Sequence, residues 1–421
     1  MIFCSVIKKN NNFDKLLFVK KISTMNYILF DDSKKDLLPF TYLRPVADIR
    51  IGIMTIKEKW ELFLRTQVSV LVDSYLSKKY PANIKTNNVL INGSMLPSDE
   101  LISKIMLLTP GQALVDNEVV IAFYVPNDLS DKISIDNLNI NNYEKVNIEC
   151  EYIKLNFCWD IFVHNKAAMY LDFKKITENR ISQEIDYNNN WVTAGENIFI
   201  EEGAQVRHAF LNASEGIIYI GKNAIIQEGS MLRGPIAICE GVTVRMGTKV
   251  YDNTTIGPYS KVGGELSNSV IFGFSNKAHD GFLGHSVIGE WCNIGADTNT
   301  SNLKNDYSAI KMWNYNTGRF INTGLQFCGL MMGDHSKCGI NSMFNSGTVI
   351  GINSNVFGAG YPRHFVPSFS WGSPVGGFES YLLSKAVKTA EIVMARRNVS
   401  FLEEDAEIFN YVHNLTYVFR Y

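Results

Sequence analysis

Eight apolar residues recur at a strict six-residue spacing: Ile220, Ile226, Leu232, Ile238, Val244, Val250, Ile256 and Val262. The same interval returns at Met332, Cys338, Phe344, Ile350 and Val356, with Ile288 and Ile294 keeping it in between. A helix repeats every 3.6 residues and a strand every two, so neither gives this period. A chain of short flat strands with a turn after each does. Each repeat then sends one aliphatic side chain to a common axis. The residue four further on is often small or β-branched (Ala224, Ser230, Val242, Thr248, Thr254, Ser260) and suits a packed corner. The residue three further on is often Gly, Pro or Asn (Gly229, Pro235, Gly241, Gly247, Asn253) and suits a turn. Three repeats make one triangular coil, and coils stack at about 4.8 Å, the spacing of paired strands. The spacing does not fix the hand of the winding.

The period fails twice. Leu266–Ser286 is out of register, and Asn302–Leu325 reads as an insertion. Loops that interrupt a regular solenoid tend to carry its binding face. Trp313, Tyr315 and Phe320 in the insertion either close over a substrate or pack the loop down. From Phe378 to Tyr421 helical spacing appears (Leu382, Leu383, Ala386, Ala390, Val393, Met394), as expected for a tail that caps the last coil.

Before the repeats the pattern is mixed. Short strands at Tyr27–Phe30, Val68–Val72, Asn88–Ile91 and Val119–Phe123 alternate with helical stretches at Thr55–Leu64 and Ser98–Leu108, which implies an α/β unit with a largely parallel sheet. The expected organisation is an extension over 1–24, an α/β domain over 25–187, a β-helix over 191–375 and a helical tail over 376–421.

Composition narrows the function. The net charge is −2, which disfavours nucleic acid or an anionic membrane as partner. No apolar run approaches the roughly 20 residues needed to span a bilayer. Seven cysteines at long spacings, without a C-x-x-C, read as free thiols in a reducing cytoplasm rather than as disulfides or a zinc site. His164, His208, His364 and His413 read as structural. His285 and His335, beside Asp334, sit at turn positions where spacing alone does not make a metal site.

The segment NKAHDGFLGHSVIGEWCNIGADTNTSNLKND resembles the acetyltransferase half of the GlmU family, whose motif reads roughly K-A-G-H-x-x-Y-L-G-x-x-x-I-G-x-x-x-N-I-G-A-G-T followed by an Asn. Here it is carried by Lys277, Ala278, His279, Phe282-Leu283-Gly284, Ile288-Gly289, Asn293-Ile294-Gly295-Ala296, Thr298 and Asn302. The resemblance implies a left-handed parallel β-helix that transfers an acetyl group from acetyl-CoA to an amino sugar, with His279 as general base. It puts Lys249, Glu265, Asn293 and Asn302 on substrate contacts and Ala296 on a CoA contact. It also implies a homotrimer with the acyl site between subunits, and a sugar phosphate or nucleotide sugar as partner. Phe282 stands where the family has a sugar-contacting Tyr, Ser267 where it has a Lys near the sugar phosphate, and Lys249 where it has an Arg. The alternative for His279 is a corner histidine that satisfies a turn carbonyl.

The first domain resembles sugar nucleotidyltransferases, whose opening loop reads L-x-x-G-x-G-T-R-x-x-P-L-T-x-x-x-P-K. This chain has Ile28-Leu29-Phe30-Asp31-Asp32, then Leu38-Pro39-Phe40-Thr41-Tyr42-Leu43-Arg44-Pro45. The glycines that let a backbone approach phosphate are missing. Asn92-Gly93-Ser94 resembles the family's N-G-D, with Ser94 in place of the Mg²⁺-holding carboxylate. Arg44, Asp73 and Asn92 are the residues left for such a site, and Mg²⁺ would be needed only if it is active. Arg44 and Arg50 either grip phosphate or pair with Asp48 or Asp36. The whole chain resembles GlmU-like sugar nucleotidyltransferases of Bacteroidetes. Two alternatives to acyl transfer stay open: a nucleotidyltransferase whose β-helix only assembles it, and an inactive binding scaffold.

Overall fold

The computed structural model describes residues 25–420 apart from 136, 137 and 139, so the expected extension over 1–24 lies outside the described residues. The chain forms two compact units. Among the described residues, one comprises 25–32, Pro45–Asp48 and Ile56–Lys154; the other comprises Ser33–Arg44, Ile49–Thr55 and 155–420.

The first unit is built on a six-stranded sheet. Its spatial order is Ser69–Leu71, Asn26–Phe30, Asn88–Asn92, Val119–Val125, Gln112–Asp116, Glu144–Asn147. The NYILF strand is buried at all five positions, which requires cover on both faces, and it pairs in parallel with both neighbours. The largely parallel sheet expected is in fact mixed, because Val119–Val125 runs antiparallel to the strands on either side. One sheet face packs Ile28, Phe30, Leu71, Leu90, Val115 and Phe123 into a core. The helix Asp99–Leu107 starts where Ser98 accepts a hydrogen bond from the Leu101 amide, with Asp99 and Glu100 favourably placed in its positive first turn. Trp60, on the helix Ile56–Leu64, is fully buried and donates to the Met95 carbonyl.

The second unit is a left-handed parallel β-helix. Its first face has nine strands, from Ile198–Ile200 to Phe365–Val366. The second has ten, starting at Gln205–Val206. The third runs from Trp191–Thr193 to Phe282–Gly284 in six strands and continues as the pair Asn299–Thr300 and Met343–Phe344. Registers stack the periodic residues into interior columns. Ile220, Ile238, Ile256, Ile271, Ile288, Met332, Ile350 and Val366 form one. Ile226, Val244 and Val262 start a second, and Leu211, Leu232, Val250, Leu266 and Leu283 form the third. The small corner residues Ser230, Thr248, Thr254 and Ser260 are fully buried, as their size requires.

The irregular stretch Leu266–Ser286 does not leave the solenoid. Its coil is tightened: Ile256 pairs with Ile271 and Val262 with Lys277, fifteen residues apart instead of eighteen, and Leu266 pairs with Leu283 after seventeen. Asn302–Leu325 is an insertion carrying the antiparallel hairpin Lys311–Asn314 and Arg319–Asn322. Two of its aromatics pack the loop down: Trp313 stacks on Phe365 with centroids 4.3 Å apart, and Tyr315 meets Phe365 and Phe419 edge-on, while Phe320 meets Trp313 edge-on and stays exposed.

The helical tail is present, and a strand precedes it. Gly377–Ser380 pairs antiparallel with Ser370–Ser373 beside the last coil. The helices Leu383–Ala395 and Glu403–Leu415 follow, and Phe409 and His413 of the second pack edge-on against Phe369 of the last coil. Arg397 donates to the Tyr259 carbonyl and to Asn276, and Phe409 packs against His335 and Phe369.

The early segments of this unit are pinned to the solenoid. Asn165, at the start of the helix Asn165–Thr177, bonds Thr255 and the Gly52 amide, and Asp172 accepts from the amides of Ile53 and Met54. Phe40 packs on Phe272 at 5.2 Å, and Arg50 donates to the Phe272 carbonyl. Arg44 lies 2.8 Å from Asp334 and 3.3 Å from Glu290, with its guanidinium over the Phe272 ring. Burial pushes the Asp334 carboxyl up to about 6, against the pull of Arg44.

Candidate active site

The tightened coil turns from the second face to the third through Ala278–Gly281. Gly281 has φ +112°, and a Cβ there would meet the Thr298 carbonyl at 2.1 Å, so only glycine closes this corner. His279 lies at the corner and is exposed to solvent. Beside it, a groove of about 840 Å³ runs along the second face. His279, Asn293 and Ala296 all line it, so three of the residues expected to work together do share one surface. Asn293 points outward because its neighbour Ile294 points in, and it stacks between Asn276 and Lys337.

The groove is basic. Arg245, Lys261, Lys337, Arg396 and Arg397 line it, and no carboxylate does. Lys261 is held below its ordinary pKa by burial, then by the charges of Arg397, Arg245 and Arg396. Arg397 is lowered in turn by burial and by Arg396. Like charges gathered without acids favour any anion that enters. These cations were not among the expected site residues. They were nonetheless readable: Arg245, Lys261 and Lys337 each flank an inward residue of the period, and Arg396-Arg397 is a doublet.

The other expected acyl-site residues lie around the corner. Lys249, Glu265 and Phe282 form an outward ladder on the third face. Lys249 is 3.9 Å from Glu265, and the Tyr251 hydroxyl donates to Glu265 at 2.6 Å. Burial, then that bond, pushes Tyr251 up to about 12. Asn302 is held at His285, with 2.9 Å between its side-chain nitrogen and Nδ1. His285 stacks on Phe327 and meets Phe162 edge-on, and burial drives its pKa down to about 4.

Of the residues read toward nucleotidyl transfer, Asp73 and Asn92 belong to the first unit. Arg44 belongs to the second unit and sits in the buried cluster with Asp334 and Glu290. Asp73 directly precedes the short helix Ser74–Ser77. Asn92 donates to Asp32 and to the Val120 carbonyl, and accepts from the amide and hydroxyl of Ser94. Lys154 pairs with Asp32 at 3.0 Å, and Asp31 accepts from the Val46 amide. Both carboxylates at the opening loop therefore bind the protein itself, and Ser94 brings none. This donor set does not fit a divalent cation. No group of three or more His, Cys, Asp or Glu suited to a metal occurs among the described residues. No helix among the described residues is long and apolar enough to cross a membrane.

Comparison with known proteins agrees with this architecture. Residues 27–181 match the family of sugar nucleotidyl transferases. The bifunctional protein GlmU of Methanocaldococcus jannaschii is 28% identical over 330 residues, covering 77% of this chain and 68% of that protein. The bifunctional sugar-1-phosphate nucleotidylyltransferase/acetyltransferase of Sulfurisphaera tokodaii is 30% identical over 165 residues, covering 34% of this chain and 41% of that one. The GlmU of Methanococcus aeolicus is 32% identical over 111 residues, about a quarter of each chain. The aligned parts thus span about two thirds of the first relative and under half of the other two.

Proposed function

We infer that this chain, a transferase homologous to the GlmU-like bifunctional enzymes, moves an acetyl group from acetyl-CoA to the amine of a sugar phosphate or nucleotide sugar. The observation that carries the reading is the groove in which His279, Asn293 and Ala296 share a surface with five cations and no carboxylate. CoA is a polyanion, and such a surface suits its phosphates. The thioester then lies toward the corner. An ammonium has no lone pair, so the acceptor reacts as the free amine, and its nitrogen, made cationic as the C–N bond forms, must give up a proton. The exposed His279 imidazole takes that proton, and the CoA thiolate leaves as the tetrahedral adduct collapses. Ala296 leaves room for the pantetheine arm. Lys249 and Glu265 lie on the third face beyond this corner and Asn302 is held at His285 by the next one, so the acceptor is best held between two copies, as in a homotrimer. A nucleotidyl-transfer reading of the first unit has less support, because Asp31, Asp32 and Asn92 are engaged by the protein.

The test is acetyl transfer by His279→Ala. The expected loss is about 10²–10⁴ in turnover with little change in acetyl-CoA affinity. Near-normal turnover on the true acceptor would remove His279 as the base. Absence of acetyl-CoA binding by the intact chain would leave a scaffold.

A further inference from the structure

One lysine stands where the solenoid should have an aliphatic residue. Lys277 pairs in register above Val262, and Ile294 succeeds it in the same interior column, followed by Cys338 and Val356. It is 2% exposed. Its ammonium donates to the His279 carbonyl at 2.6 Å and to the Asp280 carbonyl at 3.1 Å. Asp280 also accepts from the Asp297 amide of the next coil at 3.0 Å. Below, the corner sits close on glycine: a Cβ at Gly263 would meet the Ala278 carbonyl at 2.6 Å, and one at Gly264 the Gly281 carbonyl at 2.7 Å.

The chemistry of an ammonium explains this placement. The tightened coil brings the His279 and Asp280 carbonyls within reach of the lysine, and an aliphatic side chain there would donate to neither. The Asp280 carbonyl also takes the Asp297 amide, while the lysine is a second donor to it. A buried ammonium needs acceptors, and these two carbonyls supply them. Its charge is softened by Asp280 and Asp297 nearby, although burial still lowers Lys277 to about 8.

We propose that Lys277 is a positioning residue that fixes the Ala278–Gly281 corner from inside the solenoid, so that the His279 imidazole is presented to the basic groove at a constant height. This rests on the reading of His279 as the base. Lys277 itself does not touch the substrate. Its ammonium faces the interior, and its effect passes through the two carbonyls it holds.

The experiment compares Lys277→Met, which keeps length and removes the donors, with the intact chain and with His279→Ala. Amide hydrogen exchange at 278–281 should speed up about tenfold or more while the other coils keep their protection. Turnover should fall about 10–100-fold with the KM for acetyl-CoA unchanged, as for a misplaced catalytic group. The double variant K277M/H279A should be no slower than H279A. Unchanged exchange and turnover in K277M would overturn the proposal, and so would a loss that adds to that of H279A. If K277M does not fold, Lys277→Gln replaces it under the same criteria; global unfolding of both would assign Lys277 to coil stability and overturn the specific role. If the intact chain transfers no acyl group, or H279A has no effect, the functional reading fails, while the exchange measurement still decides whether Lys277 holds the corner.

Discussion

The side-chain nitrogen of Asn302 lies 2.9 Å from Nδ1 of His285, and that histidine is wedged between Phe327 and Phe162. An amide nitrogen donates, so Nδ1 accepts and the imidazole proton sits on Nε2. His285 therefore holds Asn302 as a neutral acceptor. Reading the sequence as a row of corners makes His285 a bystander; the structure makes it the partner of a candidate substrate contact. His285→Leu is expected to lower acyl turnover about tenfold, Asn302→Ala by a similar factor, and the double variant by little more than either. Steady-state rates on the four proteins check this. Full additivity would separate the two residues.

The same histidine has a pH signature. Its folded pKa is about 4 against an ordinary 6.5. Between those values the unfolded chain binds a proton that the folded chain refuses, so this group costs stability as pH falls from about 6.5 to about 4. Asp334 acts the other way: its folded pKa near 6, against 3.8, makes it lose stabilisation as pH rises through that window. Urea unfolding at about pH 7 and about pH 4.5 should show His285→Leu gaining on the parent at the acid value and Asp334→Asn losing ground there.

The cluster of Arg44 with Asp334 and Glu290 is buried at its centre, with Asp334 fully so. Removing one partner leaves an uncompensated charge. Arg44→Met should cost about 3–5 kcal/mol in unfolding free energy, and Arg44→Met with Asp334→Leu should recover part of it. Denaturant titration distinguishes this from a phosphate-binding Arg44, whose loss would leave stability intact.

The groove makes an electrostatic prediction. Arg245→Glu and Arg396→Glu should each weaken acetyl-CoA binding about tenfold or more, with a larger effect at low than at high ionic strength. Calorimetric titration reads both. Unaltered affinity in both variants would move the CoA phosphates elsewhere.

On the third face, Trp191 is 73% exposed and stacks on the part-exposed Phe210, with Met231 next in the ladder. If a second copy covers this face, Trp191→Glu with Phe210→Glu should turn a sedimenting trimer into monomer at micromolar concentration while the coil keeps its circular dichroism. A monomeric parent would remove the trimer.

Much of this was legible in the sequence because a solenoid repeats its physics. Ile220 to Val262 fill the same kind of interior site in turn, and the corner residues Thr248 and Ser260 are small because the corner is tight. His279 and Asn293 came from a motif, and they share a groove. What escaped the sequence has two causes. When a coil is shortened the inward position moves, so the six-residue count onward from Val262 does not mark Lys277 as the residue that stands in the core. And partners distant along the chain leave no local trace: nothing near Arg44 announces Asp334, and nothing near Arg397 announces Asn276. Helical spacing in the tail likewise says that a face is buried but not which residues of the coils it meets.

The ties of Arg44 bear on synthesis. Arg44 leaves the ribosome 246 residues before Glu290, its nearer partner in sequence. At about 5–20 residues per second that is roughly 12 to 50 s during which Phe40, Arg44 and Arg50 lack the Phe272–Glu290 surface on which they settle. The solenoid, by contrast, grows coil upon coil as it emerges. The nascent amino-terminal strap must therefore be kept from other partners until half the β-helix exists, and a β-helix expressed from 191 onward would display the patch around Phe272 that this strap covers.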